Sequence, residues 1–336
     1  MKVVLAGAGD FSVAWGKRLR ERDDVDLVGW VSRTGSRAAQ RAQDSGFPGI
    51  YTGEDLASAL ALLKPDFVID VTPPEVHHEV TLTALRAGVA VLGEKPMAAS
   101  MAQAREMVHA SEDAGKLYMV SQSRRYDPRL AAFRKLIDQI GPPGMLYADF
   151  FIGAHFGGFR EQMDHILLIE MAIHTFDAAR YLTGADPVSV VCEEFNPAWS
   201  WFQAGASVHA LFEMTGGLRF NYRGCWCADG KMTPWESEWR AVGPQGTALW
   251  DGVSSPQGAV VFGPDGFHSV TRDRSEAPGE GPWGISGALD DFLHALSSGS
   301  TPMGECHDNI KSLAMVYGAI EAAESGRRVD LSGWIS

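Results

Sequence analysis

A carboxylate and an imidazole stand four residues apart in an apolar stretch, at Glu170 and His174. Residues at this spacing share one face of an α-helix, and Asp177 follows three positions later, close to that face. The surrounding residues, 166–173, are otherwise almost wholly apolar, and ionisable groups there are costly to bury without partners. Two interpretations follow: a structural pair that anchors the helix, or an acid/base pair, since the ordinary histidine pKa of about 6.5 suits proton transfer near neutral pH.

Lys95 is the second candidate group, in the stretch VLGEKPMAAS at 91–100. It comes two residues after an apolar run that ends at Gly93, and ligands of open α/β sheets bind beyond the carboxyl ends of the strands. Pro96 fixes its own φ and disfavours helical geometry at Lys95, while Glu94 can pair nearby and orient the amine. The alternative is a lysine that extends from the sheet edge into water.

Hydrophobic patterning predicts the elements that would position these groups. Amphipathic helices at 35–44, 54–62, 75–87 and 100–114 alternate with short apolar strands at 3–6, 25–32, 63–74, 89–96 and 116–123. Such alternation indicates an α/β fold with a parallel, doubly wound sheet.

A glycine turn follows the first strand and precedes a helical pattern. It comprises Gly7, Ala8, Gly9, Asp10, Phe11 and Ser12. In a dinucleotide-binding fold, the first glycine makes the tight turn, the second lets the backbone approach a pyrophosphate, and the third position takes a small residue, here Ser12. The helix N-terminus then offers N–H groups to the phosphates. The pattern predicts a nicotinamide dinucleotide site, and a plain strand–helix connection is the alternative.

The tip of the second strand favours NADP(H) over NAD(H). NAD-binding domains place a carboxylate there for the ribose 2′-hydroxyl, but residues 31–37 contain none. A hydroxyl and a guanidinium suit a 2′-phosphate, so we expect contacts from Ser32 and Arg33, with Arg37 as a third. The alternative is that Arg33 and Arg37 are ordinary solvated residues.

Composition excludes several classes of protein. The 336 residues carry 29 Lys plus Arg against 42 Asp plus Glu, a net charge of -13, which argues against a nucleic-acid or anionic-membrane partner. No apolar run reaches about 18 residues, so no transmembrane helix is expected. Met1-Lys2 leads directly into a strand, which leaves no room for a signal peptide and makes the cytoplasm the expected location.

The four cysteines do not form a recognisable metal motif. Cys225 and Cys227 have the wrong spacing for a zinc knuckle, and no second pair follows them. Alternation along a strand puts both thiols on one face, and we interpret all four cysteines, including Cys192 and Cys306, as buried or half-buried free thiols. No metal site is expected.

Taken together, these motifs resemble the Gfo/Idh/MocA family, which includes glucose-fructose oxidoreductase and inositol dehydrogenase. The glycine turn, TPPEVHHE at 72–79 and EKP at 94–96 carry the resemblance in the first third. Further on, the similar stretches are 121–137, HILLIEMAIHTFDAARYLTG at 165–184 and 308–331, so the resemblance runs the whole length. It implies a Rossmann domain followed by an α/β domain with a large, mostly antiparallel open sheet.

The sequence fits this second domain through short strands at 145–155, 188–196, 206–214, 218–228, 236–243, 247–251 and 258–262 and a helix at 284–299. We therefore expect a nucleotide-binding domain over 1–123 and a substrate and oligomerisation domain over 124–336. The resemblance implies that a final helix, about 308–325, packs back toward the first domain. A large sheet with one uncovered face also predicts a homodimer or homotetramer.

The resemblance implies a catalytic trio of Lys95, Glu170 and His174. Glu170 stands where the family has Asp, and the extra methylene would move the carboxylate by about a bond length. His174 would be the general acid/base, Lys95 would stabilise the charge on the reacting oxygen or relay its proton, and Glu170 would orient the pair. Softer candidates complete the set: Thr72, Pro73, His77 and Glu94 on the cofactor side, and Arg125, Tyr126 and His155 on the substrate side.

The sequence therefore predicts an NAD(P)-dependent oxidoreductase acting on a sugar, polyol or related hydroxy/keto compound. Two alternatives stay open. One is a glycoside-cleaving enzyme of the same fold that oxidises its sugar transiently, and the other is a non-catalytic nicotinamide-binding sensor. Retention of the complete trio argues against the sensor.

Overall fold

The computed structural model describes residues 1–334, and the chain divides into two compact units. The first unit combines Met1–Ser123 with Gly284–Ile310, and the second combines Arg124–Trp283 with the residues from Lys311 onward. Residues 284–310 group with the first unit, and the expected domains over 1–123 and 124–336 stay predictions. Packing of the final helix toward the first domain stays a prediction.

The first unit is a six-stranded parallel sheet flanked by helices. Its strands are β1 Lys2–Ala6, β2 Asp26–Val31, β3 Tyr51–Gly53, β4 Phe67–Asp70, β5 Ala90–Gly93 and β6 Tyr118–Val120. Its helices are α1 Asp10–Arg20, α2 Gly35–Asp44, α3 Leu56–Leu63, α4 Pro74–Arg86, α5 Met101–Ala114 and α8 Ile285–Ser298. The strand order is β3-β2-β1-β4-β5-β6, which confirms the predicted doubly wound Rossmann fold.

Hydrophobic burial explains why the central strands could be predicted from the sequence. Every residue of β4 and β5 is buried, as expected for parallel strands covered on both faces. The short strand β3 was missed because its three residues are all half-buried and carry no apolar run. Helix α8 packs on the same sheet, where the Phe67 and Phe292 ring centroids are 5.3 Å apart.

The strand order creates one ligand-binding position. From β1 the sheet grows to one side through β2 and β3 and to the other through β4, β5 and β6. The carboxyl ends of β1 and β4 therefore border the topological switch point, where ligands bind in this class of sheet. Gly7 and Thr72 follow these two strand ends directly or within two residues.

The second unit is built on a nine-stranded mixed sheet. Its strands are β7 Met145–Phe151, β8 Pro187–Phe195, β9 Ser207–Met214, β10 Arg219–Cys225, β11 Glu238–Gly243, β12 Gly246–Trp250, β13 Gln257–Asp265, β14 His268–Ser275 and β15 Val329–Asp330. The order is β14-β13-β12-β11-β7-β10-β9-β8-β15, antiparallel except for the β7–β10 pair. The predicted mostly antiparallel sheet is confirmed, and the fully exposed strand β14 was missed because it has no apolar face.

Helices α6 Pro128–Gln139 and α7 Ile173–Thr183 belong to this second unit, and α9 Cys306–Ser325 runs across the division of the chain. Phe176 of α7 anchors the helix on the sheet, with ring centroids 4.9 Å from Phe212, 6.1 Å from Phe220 and 5.2 Å from Tyr222. Edge-to-face packing of this kind fixes a helix on its sheet. In residues 1–334, no helix combines the length and apolarity needed to cross a bilayer.

Candidate active site

The turn after β1 requires glycine at its first position. Gly7 has a φ of +113°, and a Cβ there would lie 2.5 Å from the carbonyl oxygen of Val71. Gly9 caps α1, and apart from Gly9 and its chain neighbours no described residue comes within 4 Å of the place its Cβ would occupy. Ser12 is buried and donates a hydrogen bond from Oγ to the Gly9 carbonyl at 2.6 Å. The turn therefore leaves open space beside backbone N–H groups, as a pyrophosphate needs.

Asp10 and Phe11 form the exposed first turn of α1. The Asp10 carboxylate accepts a hydrogen bond from Arg41 Nη2 at 2.7 Å, and the Phe11 side chain projects into solvent. Neither residue is held against the sheet. Their predicted contacts with the cofactor stay predictions.

The tip of β2 is basic but has a carboxylate beside it. Arg33 is exposed, Ser32 Oγ donates to the Thr34 carbonyl at 2.8 Å, and Arg37 Nη2 reaches the Ala8 carbonyl at 3.4 Å. Glu54, which the sequence analysis missed, accepts a hydrogen bond from the backbone N–H of Gly35 at 2.9 Å. It follows the unpredicted strand β3, so no sequence signal connected it to this tip. Glu54 is engaged as a cap of α2.

A buried carboxylate shapes the turn after β4. Asp70 is fully buried, and its Oδ1 accepts from the Thr72 backbone N–H at 3.0 Å and from the Thr72 hydroxyl at 2.6 Å. His77 is also buried, with Nε2 2.8 Å from the Thr72 carbonyl and Nδ1 3.6 Å from Asp70 Oδ2. Thr72 and His77 are thus brought together as predicted residues, while Pro73 lies exposed beside them.

Glu94 is held beneath the strand ends and does not project into solvent. Its Oε1 accepts a hydrogen bond from the indole of Trp15 at 2.7 Å, and its Oε2 lies 3.2 Å from the backbone nitrogen of Lys95. Burial raises the pKa of Glu94 to about 7. The carboxylate therefore titrates near neutral pH and fixes the backbone on which Lys95 is mounted.

Lys95 is half-buried directly beyond β5, and the peptide bond that joins it to the buried Pro96 is cis. This is the placement that the position after a parallel strand predicted. Lys95 and Thr72 follow the carboxyl ends of the adjacent strands β5 and β4, at the same edge of the sheet. The structure of the first unit thus gathers Gly7, Thr72, Glu94 and Lys95 along one edge.

Glu170 and His174 lie in a helical segment of the second unit that contains a π-helical turn, Leu168–Ala172, followed by α7. Both side chains are half-buried, whereas most of their neighbours in the segment are fully buried. The π turn widens the helix between the two groups, which a 3.6-residue pattern could not predict, and such turns are frequent at functional sites. Glu170 and His174 are therefore two partly accessible polar side chains in an otherwise apolar helix, and we call this pair the Glu170–His174 opening.

Arg160, which the sequence analysis missed, lies next to Glu170. Its Nε is 3.6 Å from Glu170 Oε2, and its guanidinium carbon lies 5.5 Å from the Phe156 ring centroid and 4.9 Å from that of Phe159. Cation–π contacts of this kind hold the guanidinium in place while leaving it partly solvated. Both rings belong to the segment that follows β7.

Asp177 and Arg125 form a structural pair. The Arg125 guanidinium donates to both Asp177 oxygens at 2.7 Å, and Ser312 Oγ donates to Asp177 Oδ1 at 2.6 Å. Arg125 is 7% exposed and Asp177 is 1% exposed. The Arg125 contact ties the 3₁₀ turn 123–126 to α7, and the Ser312 contact ties α7 to α9, so Asp177 has a structural role. A substrate contact by Arg125 stays a prediction that this geometry does not favour.

The remaining substrate-side candidates lie on the surface of the second unit. His155 is exposed, stacks on Trp201 with centroids 3.8 Å apart, and has Nε2 3.2 Å from each oxygen of Asp229. Tyr126 is half-buried in a 3₁₀ turn just before α6. The His155–Trp201 stack joins two segments between the strands, which we call the loop 153–165 and the loop 197–205.

Comparison with known proteins connects these two units to one family. A family model described as an oxidoreductase family with an NAD-binding Rossmann fold matches residues 1–122, and one described as the GFO/IDH/MocA C-terminal domain matches 101–249.

Among its relatives, the chain is 26% identical to D-apiose dehydrogenase of Paraburkholderia graminis, over 98% of this chain and 89% of that protein. It is 25% identical to 1,5-anhydro-D-fructose reductase of Ensifer adhaerens, over 97% of each. An oxidoreductase from Agrobacterium radiobacter, solved with NAD+, L-tartaric acid and magnesium, has the same fold, with a TM-score of 0.86, 22% identity and 99% of each chain covered. The chain is therefore an oxidoreductase of the Gfo/Idh/MocA family.

Proposed function

We propose that this protein catalyses reversible hydride transfer between NADP(H) and a carbinol or carbonyl carbon of a sugar, polyol or related hydroxy/keto compound. The observation that carries the proposal is the Glu170–His174 opening in an otherwise apolar helix of a chain from an oxidoreductase family. The named relatives act on D-apiose and 1,5-anhydro-D-fructose, which are small polyhydroxy compounds, and this supports the substrate class.

The first unit supplies the cofactor site in this proposal. The nicotinamide ring, when bound, accepts or donates the hydride. Gly7 and Gly9 leave room for the pyrophosphate beside the N-terminus of α1, and Ser12 fills the small-residue position with its hydroxyl turned onto the Gly9 carbonyl. The open space at Gly9 and the absence of a side-chain cap in the described part of α1 fit a dinucleotide phosphate.

Proton transfer to and from the substrate hydroxyl is the role of Lys95, Glu170 and His174 in this proposal. In the oxidative direction His174 takes the hydroxyl proton as general base, and Lys95 donates a hydrogen bond to the oxygen as its negative charge develops. Glu170 orients these groups. In the reductive direction the same groups return a proton to the carbonyl oxygen. Tyr126 and His155 are proposed substrate contacts, whereas the guanidinium of Arg125 is already engaged by Asp177.

Turnover of a compound panel tests the proposal. Polyols and sugars are offered with NADP+, and their keto forms with NADPH, while absorbance of the reduced cofactor is followed. Lys95→Met and His174→Asn should each lower kcat by about 10²–10⁴ with unchanged cofactor affinity. Lys135→Met, an exposed lysine of α6, is the matched control and should keep full turnover. Near-full turnover in Lys95→Met would contradict the assignment.

The preference for NADP(H) rests on the basic tip of β2. Arg33 is exposed there, and Glu54 is already engaged by the Gly35 N–H. A charge-assisted contact contributes about 1.5–3 kcal/mol, so Arg33→Ala should weaken NADPH binding by about 10–100-fold and leave NADH binding unchanged. Arg86→Ala, an exposed arginine at the end of α4, is the control. Tighter binding of NADH than NADPH by the wild type would overturn the preference.

We also propose a homo-oligomer that pairs through the second sheet. Exposed apolar side chains occur on several of its strands, among them Met145, Val191, Phe195, Leu249, Val261 and Phe262. Exposed apolar surface of this kind is commonly covered by a second copy. Light scattering after size exclusion should give the mass of a dimer or tetramer, and a monomer across the concentration range would contradict it.

A further inference from the structure

Two thiols meet where strand β10 ends, in the segment Cys225-Trp226-Cys227. Their Sγ atoms are 3.5 Å apart, and both cysteines are free thiols. Cys225 is half-buried and Cys227 is buried. The Ser207 hydroxyl donates a hydrogen bond to the Cys225 sulfur at 3.2 Å, which holds that sulfur in place beside its neighbour. The proposed hydride transfer uses neither thiol.

This segment also anchors the start of the loop 153–165. The backbone N–H of Ile152 donates to the Cys225 carbonyl at 2.9 Å, and that of Ala154 donates to the Trp226 carbonyl at 3.1 Å. Gly153 pairs with Cys227 in an antiparallel bridge. The three residues of the segment therefore fix the chain immediately before Phe156 and Arg160.

The same segment holds the end of the loop 197–205. The Trp226 N–H donates to the Ala206 carbonyl at 2.8 Å. The Trp226 ring is stacked on Phe202, with centroids 6.1 Å apart and an interplanar angle of 4°, and meets the edge of Phe156 at 5.1 Å. A change in the backbone of 225–227 is thus transmitted to both loops.

We propose that Cys225 and Cys227 form a modification site, which a small disulfide oxidises to an intramolecular disulfide that releases the two loops from their reduced geometry. The Cys225 thiolate attacks one sulfur of the oxidant RS–SR and forms a mixed disulfide, and the first RS⁻ leaves and takes up a proton. Cys227 then loses its proton and attacks the Cys225 sulfur, which expels the second RS⁻. The two cysteines lose two protons and two electrons, and RS–SR becomes two RSH.

Exposure and spacing support this order of events. Cys225 is the solvent-reachable member, and burial raises the pKa of the Cys227 thiol, so Cys227 reacts second and the closure accelerates with pH. The chain bends at Trp226, and the two sulfurs lie 3.5 Å apart, whereas a disulfide bond holds them at about 2.05 Å. Closure therefore draws Cys225 and Cys227 together, and the pairing with 152–154 has to change.

Mass spectrometry of the full chain tests the disulfide directly. After treatment with oxidised glutathione, the wild-type peptide that contains 225–227 should lose two hydrogens, and dithiothreitol should restore them. Cys227→Ser should instead accumulate a glutathione adduct on Cys225, and Cys225→Ser should resist oxidation. Cys192→Ser and Cys306→Ser, which change buried thiols elsewhere, should behave as wild type. A stable adduct on wild-type Cys225, or four unreacted thiols, would overturn the site.

Trypsin tests the coupling to the loop without requiring activity, because Arg160 lies in 153–165. Cleavage after Arg160 should be faster in the oxidised protein than in the reduced one, and equal rates would overturn the coupling. An effect on turnover rests on the proposed function: the oxidised form should lose activity that dithiothreitol restores. If the reduced protein has no turnover, the proposed function fails, while the disulfide and the loop coupling are still decided by mass and proteolysis.

Discussion

The turn after β1 and the loop 153–165 both rely on glycine, and they are built in opposite ways. At Gly7 a single added carbon would lie 2.5 Å from the Val71 carbonyl, so the surrounding backbone leaves no alternative. At Gly158 the φ is also positive, at +66°, but apart from the adjoining backbone no described residue comes within 4 Å of a Cβ there. The first segment is fixed by its neighbours, and the second is open.

The side chains repeat this contrast. Glu94 in the first unit is buried between the Trp15 indole and the Lys95 backbone. Arg160 and Phe159 in the second unit are partly or largely exposed and touch each other on the loop surface. The proposed cofactor side therefore depends on backbone shape, which tolerates little change, and the proposed substrate side depends on side chains that can be exchanged singly.

The largest effect is expected at Gly7. Gly7→Ala combines an unfavourable φ with overpacking against Val71 and should lower the free energy of unfolding by about 3 kcal/mol or more. Gly158→Ala carries the cost of its φ alone, about 1–2 kcal/mol. Calorimetric unfolding of both variants measures the difference. Equal losses would remove the distinction between a fixed turn and an open loop.

The buried carboxyl group of Glu94 makes the stability of the first unit depend on pH. Because burial raises its pKa from 4.5 to about 7, its contribution to stability is complete below pH 4.5 and is lost as pH rises through 7. The shift corresponds to about 3 kcal/mol. Glu94→Gln should remove this dependence, so the free energy of unfolding of the variant should rise relative to that of the wild type between pH 5 and 8. The lost contact with the Lys95 N–H should reduce this rise.

Thermal unfolding of the wild type and Glu94→Gln across pH 4–8 provides the measurement. Glu106→Gln, an exposed carboxylate in α5, is the control and should follow the wild type. Parallel curves for the wild type and Glu94→Gln would show that the carboxylate keeps its ordinary titration.

Substitution of Arg160 tests whether the loop 153–165 acts on Glu170. The Arg160 Nε lies 3.6 Å from Glu170 Oε2, so we expect Arg160 to act as a positioning residue that aims the longer carboxylate. Arg160→Gln should lower kcat by about tenfold and change KM less, with partial rescue by Arg160→Lys. Arg223→Gln, an exposed ion-paired arginine of β10, is the control. An effect confined to KM would assign Arg160 to substrate binding.

The smallest effect is expected at His307. Glu112 and Glu305 accept hydrogen bonds from its ring and raise its pKa above the ordinary 6.5. The contribution of His307 to stability is complete below pH 6.5 and is lost as pH rises through its raised pKa. Since the ring is 51% exposed, only a few tenths of a kcal/mol are expected, read as the difference in unfolding between the wild type and His307→Gln at pH 6 and pH 9. A difference that grows with pH would contradict the sign.

The features predicted correctly from the sequence are those encoded by hydrophobic periodicity and by glycine and proline positions. The alternation of strands and helices, the glycine turn and the lysine after β5 are all local patterns, and the structure contains them. Strands β3 and β14 lay outside the prediction because neither has a buried apolar face. The π turn at 168–172 also left no mark in the pattern.

What sequence reasoning missed depends on pairs far apart in the chain. Trp15 meets Glu94 across 79 positions, and Arg125 meets Asp177 across 52. Spacing predicted that Asp177 lies near the face of Glu170 and His174, but its bond to Arg125 shows that Asp177 has a structural role. Likewise, no local feature of residues 156–160 announced that Arg160 would reach Glu170. Local patterns identify candidate groups, and long-range contacts assign their roles.

Transfer of deuterium from labelled NADPH tests the proposed hydride transfer, in which His174 and Lys95 assist proton transfer. NADPH carrying deuterium at both C4 positions is incubated with the protein and a panel of keto sugars and related carbonyl compounds, and the products are analysed by mass spectrometry. The account predicts one deuterium on a carbinol carbon of a product, formed by the wild type and reduced about 10²-fold or more in His174→Asn and Lys95→Met. Unlabelled products, or equal labelling by all three proteins, would contradict it.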